Sequence, residues 1–152
     1  MKANEKTTEV LNDLIQINND RVEGYERAAK ETDAKDADLR TVFNNMASES
    51  KQYLSELKQE VRSEGDEPAS STTVRGKIYR AWMDVKATFS GKDRKAILAS
   101  CEFGEDAAQR AYDTALNEDG VDETVRQKIA EQKSKLRKSH DQIKQMRDTQ
   151  TA

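Results

Sequence analysis

Three ionisable residues fall among apolar residues at helical spacing, where a side chain is expected to face the protein interior. Glu49 lies three residues after Met46 and four before Tyr53, which places it on the apolar face of a helix. Glu105 and His140, the only histidine of the chain, have corresponding spacings from their own apolar neighbours. Because an unpaired buried charge costs several kcal/mol, these side chains must bind one another, another charged group or a metal ion.

Part of a dinuclear metal-ligand pattern surrounds these positions. Di-iron helical bundles use one Glu from each of two helices and a Glu-x-x-His motif from each of the other two. Glu26 and Glu105 are candidates for the single carboxylates. Gln52, however, stands where the motif starting at Glu49 requires His, and Arg137 stands where the second motif requires its acid. The pattern therefore lacks one His and one carboxylate, and a cation occupies the second gap.

Two interpretations of this site are open, and we favour the first. In the first, a partly buried network of ion pairs and hydrogen bonds fixes the register of the helices without a cofactor, and its members are Glu49, Glu105, Arg137 and His140. In the second, iron or another divalent metal is held by an incomplete site of Glu49, Glu105, His140 and Glu26. One His without Cys favours a hard or borderline ion with several waters over zinc.

Apolar residues recur at three- and four-residue steps over four long segments, and no segment alternates as a strand does. The predicted helices cover residues 8–31, 39–63, 94–117 and 123–147. Aspartates near the predicted helix starts are candidate N-caps: Asp36 or Asp38, Asp93 and Asp122. Asp119-Gly120 is a turn signal, and short turns after the first and third helices predict two antiparallel hairpins.

The connection between the second and third helices is long. It begins with the stretch SEGDEPASSTT, which contains Gly65 and the only proline, Pro68, and is the clearest loop of the chain. An amphipathic segment at residues 74–89 follows and predicts a short crossover helix. A single crossover between helices two and three is the connectivity of ferritin-like bundles. The sequence therefore predicts an all-α, ferritin-like four-helix bundle that forms one domain over residues 1–152.

Composition and charge restrict the partners and the compartment. Of the 152 residues, 34% are hydrophobic and 36% charged, which suffices for narrow apolar stripes but not for a thick core. The net charge of −3 and the pI of about 5.4 provide no positive field for nucleic acid or an anionic membrane. The single Cys101 excludes an internal disulfide. We therefore expect a cytoplasmic protein that binds neither nucleic acid nor a membrane.

The chain resembles an uncharacterised bacterial family of ferritin-like four-helix-bundle proteins, a domain of unknown function, in three blocks: LNDLIQINNDRVEGYERAA, ILASCEFGEDAAQRAYDTAL and KSHDQI. The resemblance extends from about Val10 to Met146. It implies the bundle fold, a bacterial cytoplasmic setting and a link to stress physiology, and it implies no established activity. Glu105 and His140 both fall inside these blocks.

We predict a non-enzymatic bundle that is associated with stress or binds other proteins. The alternative is a ferritin-like metal-binding protein or oxidase. A DNA-compacting ferritin relative is expected to have basic tails and a net positive charge, which this chain lacks. Apolar residues of the crossover segment share one predicted face and are a candidate contact for a protein partner or a second copy: Ile78, Trp82, Val85 and Phe89.

Overall fold

The computed structural model describes residues 5–32, 34–65 and 94–149, which form four long α-helices. The helices are α1 (Glu5–Glu31), α2 (Ala37–Ser63), α3 (Arg94–Asn117) and α4 (Glu123–Asp148), with a 3-10 turn at Ala34–Asp36. The described residues contain no strand, so the prediction of an all-α helical bundle is confirmed. The predicted crossover helix at residues 74–89, with Trp82 and its apolar neighbours, lies outside the described residues.

The starts of the helices depart from the predicted capping pattern. Asp36 occupies the N-cap position of α2 and Asp122 that of α4, but neither side chain makes a capping hydrogen bond. The carboxylate of Asp36 instead accepts a hydrogen bond from Arg94 Nη1 at 2.9 Å, because an ion pair between helices is within its reach. Asp93 lies outside the described residues. The turn at Gly120 forms as predicted, with a φ of 85° that favours glycine.

The four helices pack as two hairpins, α1 with α2 and α3 with α4. Contacts between the hairpins show how they are oriented. Asn18 binds the hydroxyl of Tyr112, whereas Arg21, later in α1, binds Glu105, earlier in α3. α1 and α3 therefore run antiparallel.

α2 and α3 begin at the same end of the bundle. Arg94, the first residue of α3, donates from Nη2 to Asp38 Oδ2 at 2.8 Å, and Asp38 lies in the first turn of α2. These two helices consequently run in the same direction. The chain between Gly65 and Arg94 therefore connects opposite ends of the bundle.

Two apolar clusters form the core and lie toward opposite ends of the helices. The first includes Leu11, Leu14, Leu57, Ile129 and Leu136, all at most 1% exposed. The second includes Leu39, Phe43, Leu98 and Ile143, all 0% exposed. Burying each such side chain contributes about 1.5–3 kcal/mol. The clusters therefore provide most of the stability. The residues between them do not have to be apolar.

Candidate functional site: the polar layer of the bundle

A layer of polar side chains separates the two apolar clusters at the middle of the bundle. We define this polar layer as Asn18, Arg21, Tyr25, Glu49, Ser50, Glu105, Tyr112 and Gln132. Six of its eight members are 0% exposed: Asn18, Arg21, Tyr25, Ser50, Glu105 and Tyr112. Buried polar groups are tolerated only when they are hydrogen-bonded or paired, so the layer has to satisfy itself internally.

Arg21 is the centre of the polar layer. Its Nε donates to Glu105 Oε2 at 2.9 Å, and its Nη1 donates to Ser50 Oγ at 2.7 Å. Its Nη2 lies 3.2 Å from Glu49 Oε1. Burial disfavours the charged guanidinium, but the pKa of Arg21 is raised because the negative charge of Glu105, with that of Glu49, outweighs burial. A cation that belongs to the chain thus joins the carboxylates of α2 and α3.

Glu105 receives a second strong hydrogen bond, from α1. The Tyr25 hydroxyl donates to Glu105 Oε2 at 2.5 Å, and the Arg21 guanidinium carbon lies 5.2 Å from the centre of the Tyr25 ring. Burial and the neighbouring negative charge raise the pKa of Tyr25 well above its ordinary value, so the hydroxyl remains a donor. The same two causes raise the pKa of the Cys101 thiol, which makes it a neutral core residue and not a nucleophile.

The rest of the polar layer is a chain of hydrogen bonds through all four helices. Ser50 Oγ of α2 donates to Asn18 Oδ1 of α1 at 2.9 Å, and Asn18 Nδ2 donates to the Tyr112 hydroxyl of α3 at 2.9 Å. That hydroxyl donates to Gln132 Oε1 of α4 at 2.7 Å. Shifting one helix by a turn would leave several of these groups buried without partners, so the chain fixes the register of the bundle.

The structure brings together two of the four predicted site residues. Glu49 and Glu105 lie on α2 and α3, and both bind Arg21. Glu49 also accepts a hydrogen bond from Ser139 Oγ at 2.7 Å and is 30% exposed. Glu26 is not part of this group, because its side chain is 51% exposed and pairs with Lys51 at 2.7 Å.

The prediction that Arg137 is the cation of the buried network was wrong. Arg137 is 61% exposed and pairs with Asp141 at 3.3 Å on the surface of α4. Its neighbour Leu136 is 0% exposed, so Arg137 lies one position beyond the buried stripe. Arg21 takes the role instead. Arg21 lies on the apolar stripe of the first helix, and this position in the sequence already indicated that its side chain is buried.

His140 lies beside the polar layer, at the interface between α3 and α4. It is 6% exposed, its Nε2 lies 2.5 Å from Asp106 Oδ1, and its Nδ1 lies 3.0 Å from Asp141 Oδ1. Burial lowers the pKa of His140, but hydrogen bonds to the two aspartates outweigh it and the net shift is upward. Glu102 of α3 is also buried and is held by the guanidinium of Arg147.

Glu102, Asp106 and His140 form the seam cluster. One ligand atom from each lies within 4.8 Å of the others, a spacing that can hold a metal ion. Sequence reasoning assigned His140 to the core and missed both carboxylates. The signal was present, because Glu102 and Asp106 are four residues apart and share one face of α3.

A groove of about 390 Å³ opens between α2 and α4 above Glu49. Tyr53, Lys138 and Ser139 are among its lining residues. The groove explains why Glu49 is partly exposed while Arg21 beneath it is not. Solvent therefore reaches one edge of the polar layer.

These features define a class of protein: an all-α bundle with an ion network on three helices that hydrogen bonds extend to the fourth. Residues 6–118 match the family described as a domain of unknown function (DUF2383), and the chain belongs to that family. The match covers the first three helices and ends before α4, so His140 lies outside it. No curated protein matches the chain. No helix in the described ranges is long and apolar enough to cross a membrane.

Proposed function

We propose that this protein is a ferritin-like four-helix bundle without enzymatic activity, in which Arg21 provides the positive charge where di-iron bundles bind metal. The observation that carries the proposal is the position of its guanidinium, 2.9 Å from Glu105 and 3.2 Å from Glu49. An ion bound between these carboxylates would have to displace a side chain that is 0% exposed and bonded on three sides. The core is therefore suited to fixing a structure and not to redox chemistry.

The directions of the helices support the ferritin-like assignment. α2 and α3 start at the same end, beside the Arg94–Asp38 ion pair, so one long connection must join opposite ends of the bundle. That is the arrangement of ferritin-like bundles, whose functional side chains also project inward from facing helices. The resemblance of the sequence to bacterial proteins of this kind supports a cytoplasmic, stress-associated role.

A metal-dependent oxidase in the core is the alternative, and the residues present do not fit it. Gln52 replaces the histidine of one Glu-x-x-His motif, and Arg137 replaces the acid of the other. The remaining histidine, His140, pairs with Asp106 and Asp141 beside the layer. Glu26 pairs with Lys51 on the surface. The di-iron ligand set is thus not assembled around Glu49 and Glu105.

The rate of iron oxidation by oxygen tests the proposal. Protein purified without a histidine tag is mixed with Fe²⁺ under nitrogen and then exposed to air, with Glu105→Gln and His140→Ala as comparisons. We expect all three proteins to oxidise iron at the rate of buffer alone. Saturable, faster oxidation by the wild type that disappears in Glu105→Gln would overturn the proposal. Loss only in His140→Ala would assign the activity to iron outside the core and would equally contradict a non-enzymatic protein.

We further propose that the bundle acts by binding protein, either a partner or a second copy of itself. Support comes from the sequence, in which Ile78, Trp82 and Val85 share one predicted apolar face. Analytical ultracentrifugation over a wide concentration range tests self-association. We expect the wild type to sediment faster as concentration rises and Trp82→Ala to remain monomeric. A wild type that is monomeric at every concentration would exclude self-association, leaving a different protein as the partner.

A further inference from the structure

We propose that Glu102, Asp106 and His140 bind one divalent first-row transition-metal ion at the α3/α4 interface. This seam site is separate from the Arg21 network and goes beyond the function proposed above, which places no metal in the core. The ion is bound by one imidazole nitrogen and two carboxylate oxygens, with water completing its coordination.

The distances suit such an ion. One ligand atom from each of the three residues lies within 4.8 Å of the other two. An ion about 2.0–2.2 Å from each donor holds neighbouring donors roughly 3.0–3.5 Å apart. The His140 Nε2 and Asp106 Oδ1, now 2.5 Å apart, would separate by less than about 1 Å to admit it. Asp106 is half exposed, so its side chain can make this movement.

A hydrogen bond at Nδ1 already orients the imidazole of His140 for metal binding through Nε2. His140 Nδ1 lies 3.0 Å from Asp141 Oδ1 and donates to it when Nε2 is the unprotonated nitrogen. A carboxylate in this position fixes the tautomer and raises the basicity of a ligating histidine. The lone pair of Nε2 then points toward Asp106, which is the direction from which the ion would bind.

A buried amide on the same interface makes no hydrogen bond and could accept one from a ligand. Gln109 is 7% exposed, and neither its amide oxygen nor its amide nitrogen makes a hydrogen bond. It lies on α3 between Asp106 and Asp113, both of which bind side chains of α4, so it faces the same interface. Unsatisfied buried polar atoms are rare in folded proteins. A metal-bound water at this interface would give the amide a hydrogen-bond partner.

The ligand set selects the kind of ion. An imidazole favours first-row transition ions over Mg²⁺ and Ca²⁺, which bind oxygen ligands. Arg147 currently neutralises Glu102, so the ion must compete with its guanidinium. Removing that guanidinium is therefore expected to strengthen metal binding. If Glu102 and Asp106 had only a structural role, its removal would not increase the affinity for metal.

Calorimetric titration with Zn²⁺, which is redox-inert, tests the site. The proteins compared are the tag-free wild type and four variants: His140→Ala, Asp106→Asn, Arg147→Gln and Asp113→Asn. We expect one Zn²⁺ per chain, with affinity at least about tenfold lower for Mg²⁺. His140→Ala and Asp106→Asn should each weaken binding at least about tenfold, and Arg147→Gln should tighten it.

Asp113→Asn is the matched control, because it removes a half-exposed aspartate of the same α3 face that pairs with Lys133 instead of His140. It should bind Zn²⁺ as the wild type does. Circular dichroism checks folding, and Asp106→Asn decides the question if His140→Ala fails to fold. Absence of stoichiometric binding, or equal affinity in Asp106→Asn and Asp113→Asn, would overturn the proposal. Either result leaves the iron-oxidation test of the core unaffected.

Discussion

The polar layer and the seam cluster each place two carboxylates close together, but they differ in how the negative charge is balanced. In the polar layer, Arg21 and Glu105 are both 0% exposed and are bonded to each other directly. In the seam cluster, the buried imidazole of His140 lies between two half-exposed aspartates that water can also reach. The ion pair at the centre of the polar layer is thus formed by the chain and shielded from solvent, whereas the aspartates of the seam remain open to solvent.

The comparison shows where this fold can accommodate a ligand. A ligand in the polar layer would replace bonds that the chain already makes, at the expense of burying an unpaired guanidinium. A ligand in the seam cluster would replace only a contact with a half-exposed side chain and the contact from Arg147. The polar layer therefore resists a ligand, and the seam cluster can accommodate one.

Removing the internal cation should give the largest effect. Arg21→Met leaves Glu105 buried beside Tyr25 without its ion pair, and breaking a buried pair costs about 3–5 kcal/mol. Urea unfolding measures the loss of free energy. The double variant Arg21→Met with Glu105→Leu should recover most of it, because no buried charge remains. Arg137→Met is the surface control and should change stability by less than about 0.5 kcal/mol. A small effect of Arg21→Met would show that the layer is solvated.

Removing one neutral link of the polar layer should have a smaller effect. Tyr112→Phe deletes the hydroxyl that joins Asn18 to Gln132, and we expect a loss of about 1–3 kcal/mol because both amides stay buried. Tyr53→Phe is the matched control, since its buried hydroxyl has no hydrogen-bond partner. It should be neutral or stabilising. Equal losses in the two variants in thermal melts would mean that the hydrogen-bond chain does not stabilise the bundle.

The stability of the protein should depend far less on the charges of the seam cluster than on those of the polar layer. Asp106→Asn in the presence of a chelator should change the free energy of unfolding by less than about 1 kcal/mol, because Asp106 is 48% exposed. Chemical unfolding at neutral pH measures it. A loss comparable to that of Arg21→Met would remove the distinction between the two regions.

The ion pair between Arg94 and Asp38, at the end of the bundle, should have the smallest effect on stability. This effect should be visible only at acidic pH. The hydrogen bond from Arg94 lowers the pKa of Asp38, so its stabilisation is present above the ordinary pKa of 3.8 and is lost as pH falls below it. Because Asp38 is exposed, we expect less than about 0.5 kcal/mol. Acid titration of the wild type and Asp38→Asn should therefore show slightly steeper loss for the wild type below about pH 4. Parallel curves would exclude the contribution.

The sequence predicted the helical segments well, because apolar spacing reports which face of each helix is buried. It also placed Glu49 and Glu105 on facing helices. It did not predict the partners, because spacing along one helix carries no information on how far a neighbouring helix is rotated. Arg137 and His140 are three residues apart on α4, yet the first faces solvent and the second faces α3. A rotation of a few tens of degrees decides between those environments.

The division of the central charges between the hairpins also governs how the chain can associate incorrectly. Arg21 belongs to the α1–α2 hairpin and Glu105 to the α3–α4 hairpin. Two α3–α4 hairpins paired with each other would bury two copies of Glu105 without a cation. Two α1–α2 hairpins would each keep Glu49 beside Arg21, but the guanidinium would lose its fully buried partner Glu105. Unpaired carboxylates in an apolar interior oppose the first pairing, and the loss of a buried ion pair disfavours the second. Only unlike hairpins form the buried ion pair between Arg21 and Glu105, so this pair also favours the correct partner during folding and disfavours symmetric exchange of hairpins between chains.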